Sequence, residues 1–327
     1  MSGPTQRSSL LGAGVVVLGA SLFGSLGILS KLAYGEGMVP FAFVTWRAAV
    51  GALALWLFIV VARRPSAIRA ELASLDRRAR GWLLLAIVLA SLLNLASFLA
   101  FANTTVALAL LAFYTYPAMV AAGSVVLGRE RLDLARVAAL VLALGGMAAV
   151  VLGGAGAGSA GRNDLLGMAL ALAAGVCQTG FVLTSHRYRS LPADYVTGAL
   201  LLGSAIMAAV ITLAGDGAAA LAFPFARLDV LALLLYVGVF AAAVPSVLFL
   251  TGIRWIGGVR TGILMLFEPV VGVLLAALIL SEGLQPMQLA GGATILLAAL
   301  LVQRTAGHDH PADPMDTIAI VPAPGGP

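Results

Sequence analysis

Charge is scarce in this 327-residue chain: 10% of it is Asp, Glu, Lys or Arg, while 61% is hydrophobic. Soluble domains are about a quarter charged and about half apolar, so this composition excludes an ordinary soluble protein. Cysteine is nearly absent. The single Cys177 has no partner for an internal disulfide and lies in an apolar run, so it fixes no redox compartment. Histidine is almost as rare, with His186 near a helix end and His308 and His310 in the C-terminal tail. That tail reads as solvated and disordered, and no metal or cofactor site is expected in it. No HExxH or GxSxG motif occurs, and an intramembrane enzyme would need clustered His, Asp, Glu or Cys at depth. Without a Walker-type phosphate loop, ATP-driven transport by this chain has no support either.

Long apolar runs are abundant instead. They recur near 10–30, 40–62, 81–100, 104–127, 133–152, 165–185, 194–213, 230–251, 259–280 and 286–303. About twenty apolar residues match the roughly 30 Å hydrocarbon core, so these ten runs read as transmembrane helices. Barrel strands would be about ten residues long and alternate in polarity. The first run continues without a small-residue cleavage site, so it reads as a spanning helix and not as a removable signal.

The few cations are unevenly placed. Of nineteen Lys and Arg residues, fifteen fall in loops or ends on one side of the resulting topology. The other side holds Lys31, Arg162 and Arg227, and Arg47 lies inside a span. Positive-inside bias then places both termini in the cytoplasm of a cell (inner or plasma) membrane protein. The net charge of +5 is explained by this topology, so no nucleic-acid partner is expected.

The second half superposes on the first after an ungapped shift of 152 residues. Pro117 meets Pro269, Glu130 meets Glu282, the Val44-Thr45 pair meets Val196-Thr197, and Asn94 meets Ser246. Five spans per copy is an odd number, so the copies are inverted. This predicts an all-α polytopic membrane protein of ten helices in two inverted five-helix repeats. The expected segments are a cytoplasmic start (1–9), a first repeat (10–152), an extracytoplasmic linker (153–164), a second repeat (165–303) and a cytoplasmic tail (304–327). Inverted repeats are typical of secondary transporters, whose site lies near the midplane between the halves.

Three segments, 23–53, 110–150 and 264–301, resemble the drug/metabolite transporter superfamily and, within it, the EamA-type exporters. The likeness is carried by the FYTYP stretch followed by GRERL, and by its second copy, FEP followed by SEGL. It implies a duplicated five-helix unit and a transporter that exports small metabolites such as amino acids or amines by alternating access. Its partners would be a small-molecule substrate and the lipid bilayer, in a monomer or homodimer, with proton-coupled and passive, facilitated export both left open. The alternative is a channel or uniporter-like permease, with an intramembrane enzyme a remote third.

Within the spans, polar residues mark a candidate site. Glu268 is the carboxylate placed near the midplane, where a charge costs about 2.5–3.5 kcal/mol and must face a cavity or partner. It suits proton coupling or binding of a substrate amine, unless it is simply hydrogen-bonded to a backbone carbonyl. Arg47 has three open readings: binding a substrate carboxylate, pairing with Glu268, or snorkelling to the interface. Asn94, Gln178, Ser246, Tyr114, Tyr116 and Phe98 are the other substrate-contact candidates, against a role in helix-to-helix bonding. Two residues on a continuous helix differ by about 200°, so Tyr114 and Tyr116 should not both face one cavity. Pro117 and Pro269 free the carbonyls of Phe113 and Met265, and should either flex or hold a fixed kink.

Overall fold

The computed structural model describes residues 4–62, 76–104, 106–128, 133–154, 164–280 and 285–304. The arginines at 63, 64, 69, 129 and 131, Glu130, most of the linker, Glu282, and the tail with His308 and His310 lie outside these residues. The described residues are helical and contain no strand. In chain order the helices are α1 (Pro4–Phe23), α2 (Leu26–Gly35), α3 (Pro40–Ala62), α4 (Arg77–Asn103), α5 (Val106–Phe113), α6 (Tyr116–Val126) and α7 (Leu134–Gly154). They continue with α8 (Asp164–Thr184), α9 (Ala193–Gly215), α10 (Gly217–Ala222), α11 (Leu228–Gly238), α12 (Val244–Ile256), α13 (Gly258–Met265), α14 (Glu268–Leu280) and α15 (Pro286–Arg304).

Among the described residues, seven helical segments are long and apolar enough to cross a membrane. They are Leu10–Gly35, Pro40–Ala62, Arg77–Asn103, Ala109–Val126, Leu165–Tyr188, Ala193–Gly215 and Leu228–Ile256. Shorter apolar helices cover Leu134–Ala149, Gly217–Ala226 and Pro286–Leu301. Helix is the form such sequences must take, because lipid offers no partner to a backbone N–H or C=O. The outward faces are greasy, with Leu53, Leu57, Val61, Val126 and Leu134 exposed, as lipid-facing residues should be. The protein is therefore a polytopic helical membrane protein.

Several long segments are interrupted. The run expected at 104–127 breaks at Tyr114–Thr115 between α5 and α6, and that at 259–280 breaks at Leu266–Phe267 between α13 and α14. Each proline is the second residue of the new helix, where its missing N–H is one that the helix start leaves unpaired anyway. Proline at these positions thus restarts a helix instead of bending an intact one. A further break at Gly24–Ser25 divides α1 from α2, and a π-helical turn at Val239–Ala243 precedes α12.

Glycines let the broken segments approach other helices. A Cβ on Gly24 would lie 2.9 Å from the Glu268 carbonyl oxygen, and one on Gly175 would lie 2.9 Å from that of Phe113. The carbonyl released ahead of Pro117 therefore packs on the backbone of α8. At Gly257, φ is 86°, which allows the sharp turn from α12 into α13. α7 and α15 also pack intimately, with Gly146 backed onto the carbonyl of Gly291.

Candidate functional site

The interruptions leave a cavity of about 160 Å³ inside the bundle. All eight substrate-contact candidates, Glu268, Arg47, Asn94, Tyr114, Tyr116, Gln178, Ser246 and Phe98, line it. Pro117 does not; it packs on Gly262 of α13, with its Cβ 3.2 Å from a Cβ built there. Aromatic rings from several helices, among them Phe23, Phe113, Phe181 and Phe249, form much of the wall.

At its centre the Tyr114 hydroxyl donates to Glu268 Oε2 at 2.5 Å. The carboxyl is thus tied to a side chain of the other broken helix and not to a backbone carbonyl. Tyr114 and Tyr116 both line the cavity, with ring centroids 5.9 Å apart, which corrects the expectation that only one could. The 100° step per residue holds only along a continuous helix, and the break at Tyr114–Thr115 re-aims the second ring.

A second polar group surrounds Arg47. Arg47 is 3% exposed, which rules out snorkelling. Nη2 donates to Asn94 Oδ1, and the guanidinium carbon sits 4.7 Å from the Phe98 ring centroid. Asn94 Nδ2 in turn donates to the Ala90 carbonyl at 2.7 Å and to Ser204 Oγ at 3.3 Å. Ser204 Oγ lies 3.4 Å from Ser91 Oγ, extending the network across α3, α4 and α9. Of the three readings open for Arg47, pairing with Glu268 is not the one adopted: the two groups are held by separate helices with neutral partners, Asn94 and Tyr114.

The remaining polar groups, Gln178 and Ser246, face the cavity with no protein hydrogen-bond partner among the described residues. Thr197 joins them, its hydroxyl buried and unpartnered. Sequence reasoning passed over Thr197 and Ser204, although 197, 201 and 204 share one helix face. Thr179 and Ser91 bond to carbonyls four residues back in their own helices, at 2.9 and 2.8 Å. Among the described residues, no group of three His, Cys, Asp or Glu is placed to hold a metal ion.

Both ends of the bundle carry polar ties. Arg227, between α10 and α11, bonds Glu36 at 2.5 Å and Asp229 at 2.7 Å. Those hydrogen bonds, first to Asp229 and then to Glu36, hold the guanidinium further above its ordinary pKa. Beside it the Trp46 indole donates to the Leu221 carbonyl at 2.9 Å and meets the Phe225 ring edge-on. At the other end Arg254 donates to the Leu191 carbonyl at 2.6 Å, and Arg187 lies 5.4 Å from the Trp82 ring centroid.

A bundle of membrane-crossing helices around a cavity with one buried cation and one buried carboxyl defines the class: a multi-pass membrane transporter. The chain belongs to the EamA-like transporter family, whose model matches residues 10–152 and 165–304. An uncharacterized transporter of Clostridium kluyveri is 26% identical over 144 residues, covering 44% of this chain and 46% of that protein. The match thus spans about half the length of that relative. A solved crystal structure superposes with a TM-score of 0.73 over 92% of this chain and 98% of its own, at 20% identity. That likeness shows a shared fold. Family membership and the relative agree on a non-enzymatic transporter within the drug/metabolite transporter superfamily.

Proposed function

We propose that this transporter exports small metabolites, such as amino acids or amines, by alternating access to the Glu268 cavity. Ten spans in two inverted five-helix repeats, with both termini in the cytoplasm of the cell membrane, would provide the machinery. Helix ends that recur at a spacing of 152 residues support this layout. Val106–Phe113 is matched by Gly258–Met265, and α6 and α14 begin at Tyr116 and Glu268. Leu134 and Pro286 likewise start α7 and α15.

The observation that carries the reading is the cavity itself. Both halves wall it, and its carboxyl in one broken helix is bonded to a tyrosine of the other. A carboxyl there can exchange a proton or a substrate amine for the Tyr114 hydroxyl, so Glu268 is the group through which a proton gradient would act. On this reading the polar ties at one end would part while those at the other hold.

Counterflow in proteoliposomes across amino acids and amines, with and without a pH gradient, tests the reading. Saturable exchange is the expected result. Linear, unsaturable flux would identify a channel, and no flux for any compound would overturn the proposal.

A further inference from the structure

We infer that Arg47 forms a carboxylate subsite at one end of the cavity, so that the cargo must carry a carboxylate and plain amines are excluded. This rests on reading the cavity as the transport site. The charge on Arg47 is uncompensated. Arg47 is buried, and among the described residues no carboxylate lies within ion-pair distance of it. Its partners are neutral: the Asn94 amide oxygen and the face of Phe98. Its Nε has no hydrogen-bond partner among the described residues. A guanidinium buried at membrane depth is costly unless an anion completes it, and here the protein supplies none.

The surroundings hold the cation ready instead of quenching it. Asn94 is fixed by its bonds to Ala90 and Ser204, so its oxygen is presented to Arg47 in one orientation. The cavity's carboxyl, which would be the obvious partner, is engaged by Tyr114. Among the described residues lining the cavity, Arg47 is the one cation. Gln178, Thr197 and Ser246 contribute only neutral groups. An anionic group therefore has one place to bind. The planar fork of a guanidinium matches a carboxylate, accepting it through two parallel hydrogen bonds. The internal repeat sharpens the point, because the position 152 residues after Arg47 is Ala199, so the subsite exists in one half only.

The test uses the full chain in proteoliposomes and a panel of L-amino acids, each paired with its decarboxylated amine. Counterflow is expected with amino acids and at least about tenfold weaker with the matching amines. Arg47→Gln is expected to weaken the apparent affinity for the amino acids by about 10- to 150-fold, the ratio carried by one hydrogen bond to a charged group. Arg47→Lys keeps the charge without the fork and should fall between. The wild-type comparison of acid with amine needs no variant to fold, and gel filtration checks the variants. Amines exchanged as readily as their amino acids, or Arg47→Gln with unchanged affinity, would overturn the subsite while leaving transport intact. A wild type that exchanges no member of the panel overturns the transport reading, and the subsite with it.

Discussion

Two adjacent glycines in α7 should respond to the same substitution with opposite signs. Gly145 has nothing within 4 Å of where a Cβ would stand, so Gly145→Ala adds a methyl group in open space. Replacing glycine by alanine inside a helix is worth about 0.5–1 kcal/mol, because the chain loses less conformational freedom on folding. At Gly146 the same methyl would lie 2.7 Å from the carbonyl oxygen of Gly291 and 3.0 Å from the Ile295 side chain. The oxygen belongs to a helix backbone and cannot swing away, so α7 and α15 must part. Overpacking of this kind costs about 1–3 kcal/mol. The alanine gain is common to both variants, so they should differ by the overpacking cost alone, about 1–3 kcal/mol in unfolding free energy. Titration of detergent-solubilised protein with SDS, followed by circular dichroism, measures that difference. Equal stabilities, or a Gly146→Ala protein more stable than Gly145→Ala, would refute the close packing of these helices.

Other outcomes follow from the cavity and the bundle ends. Glu268→Gln should retain exchange in the absence of a pH gradient and lose acceleration by one; an undiminished response would remove Glu268 from coupling. Tyr114→Phe deletes the hydroxyl that donates to Glu268 and should cost about 0.5–1.5 kcal/mol of stability, measured by the same SDS titration. Pro117→Ala should change stability by less than about 1 kcal/mol, because the proline occupies a helix start; a gain above about 2 kcal/mol would place it in a helix interior, where proline itself is costly. In a Cys177→Ala background, Glu36→Cys and Arg227→Cys joined by a reducible thiol-specific cross-linker should stop exchange until the linker is reduced. Unimpeded exchange by the cross-linked protein would show that this tie need not part during the cycle.

Much of this architecture was legible in the sequence because membranes leave the chain few choices. The apolar runs had to be helices, and a proline within one had to face protein; that the chain breaks and restarts there, where a kink was expected, came only from the structure. The candidate site residues were chosen as polar or aromatic groups at membrane depth, the polar ones because they must face a cavity or a partner, and all eight line the same cavity. What escaped the sequence depends on contacts between helices. Nothing near Arg47 in the chain announces Asn94 as its partner, since the two meet only when α3 packs on α4. The tyrosine pair was misjudged because the angle between residues was taken from an unbroken helix. Thr197 was hidden by a habit its repeat mate obeys: Thr45 bonds to the Phe41 carbonyl at 2.8 Å, whereas the Thr197 hydroxyl is left without a partner.

The pairing of one guanidinium with one carboxyl in the same cavity also bears on how the membrane voltage acts. Moving one elementary charge through the field is worth about 2.3 kcal/mol per 100 mV. A zwitterionic cargo adds no net charge to the cavity, so the loaded and the empty transporter carry the same charge when they reorient. Whatever work the field does on one crossing it undoes on the return. Exchange of such a cargo is electrically silent, and its direction is set by concentration alone unless a proton travels with it.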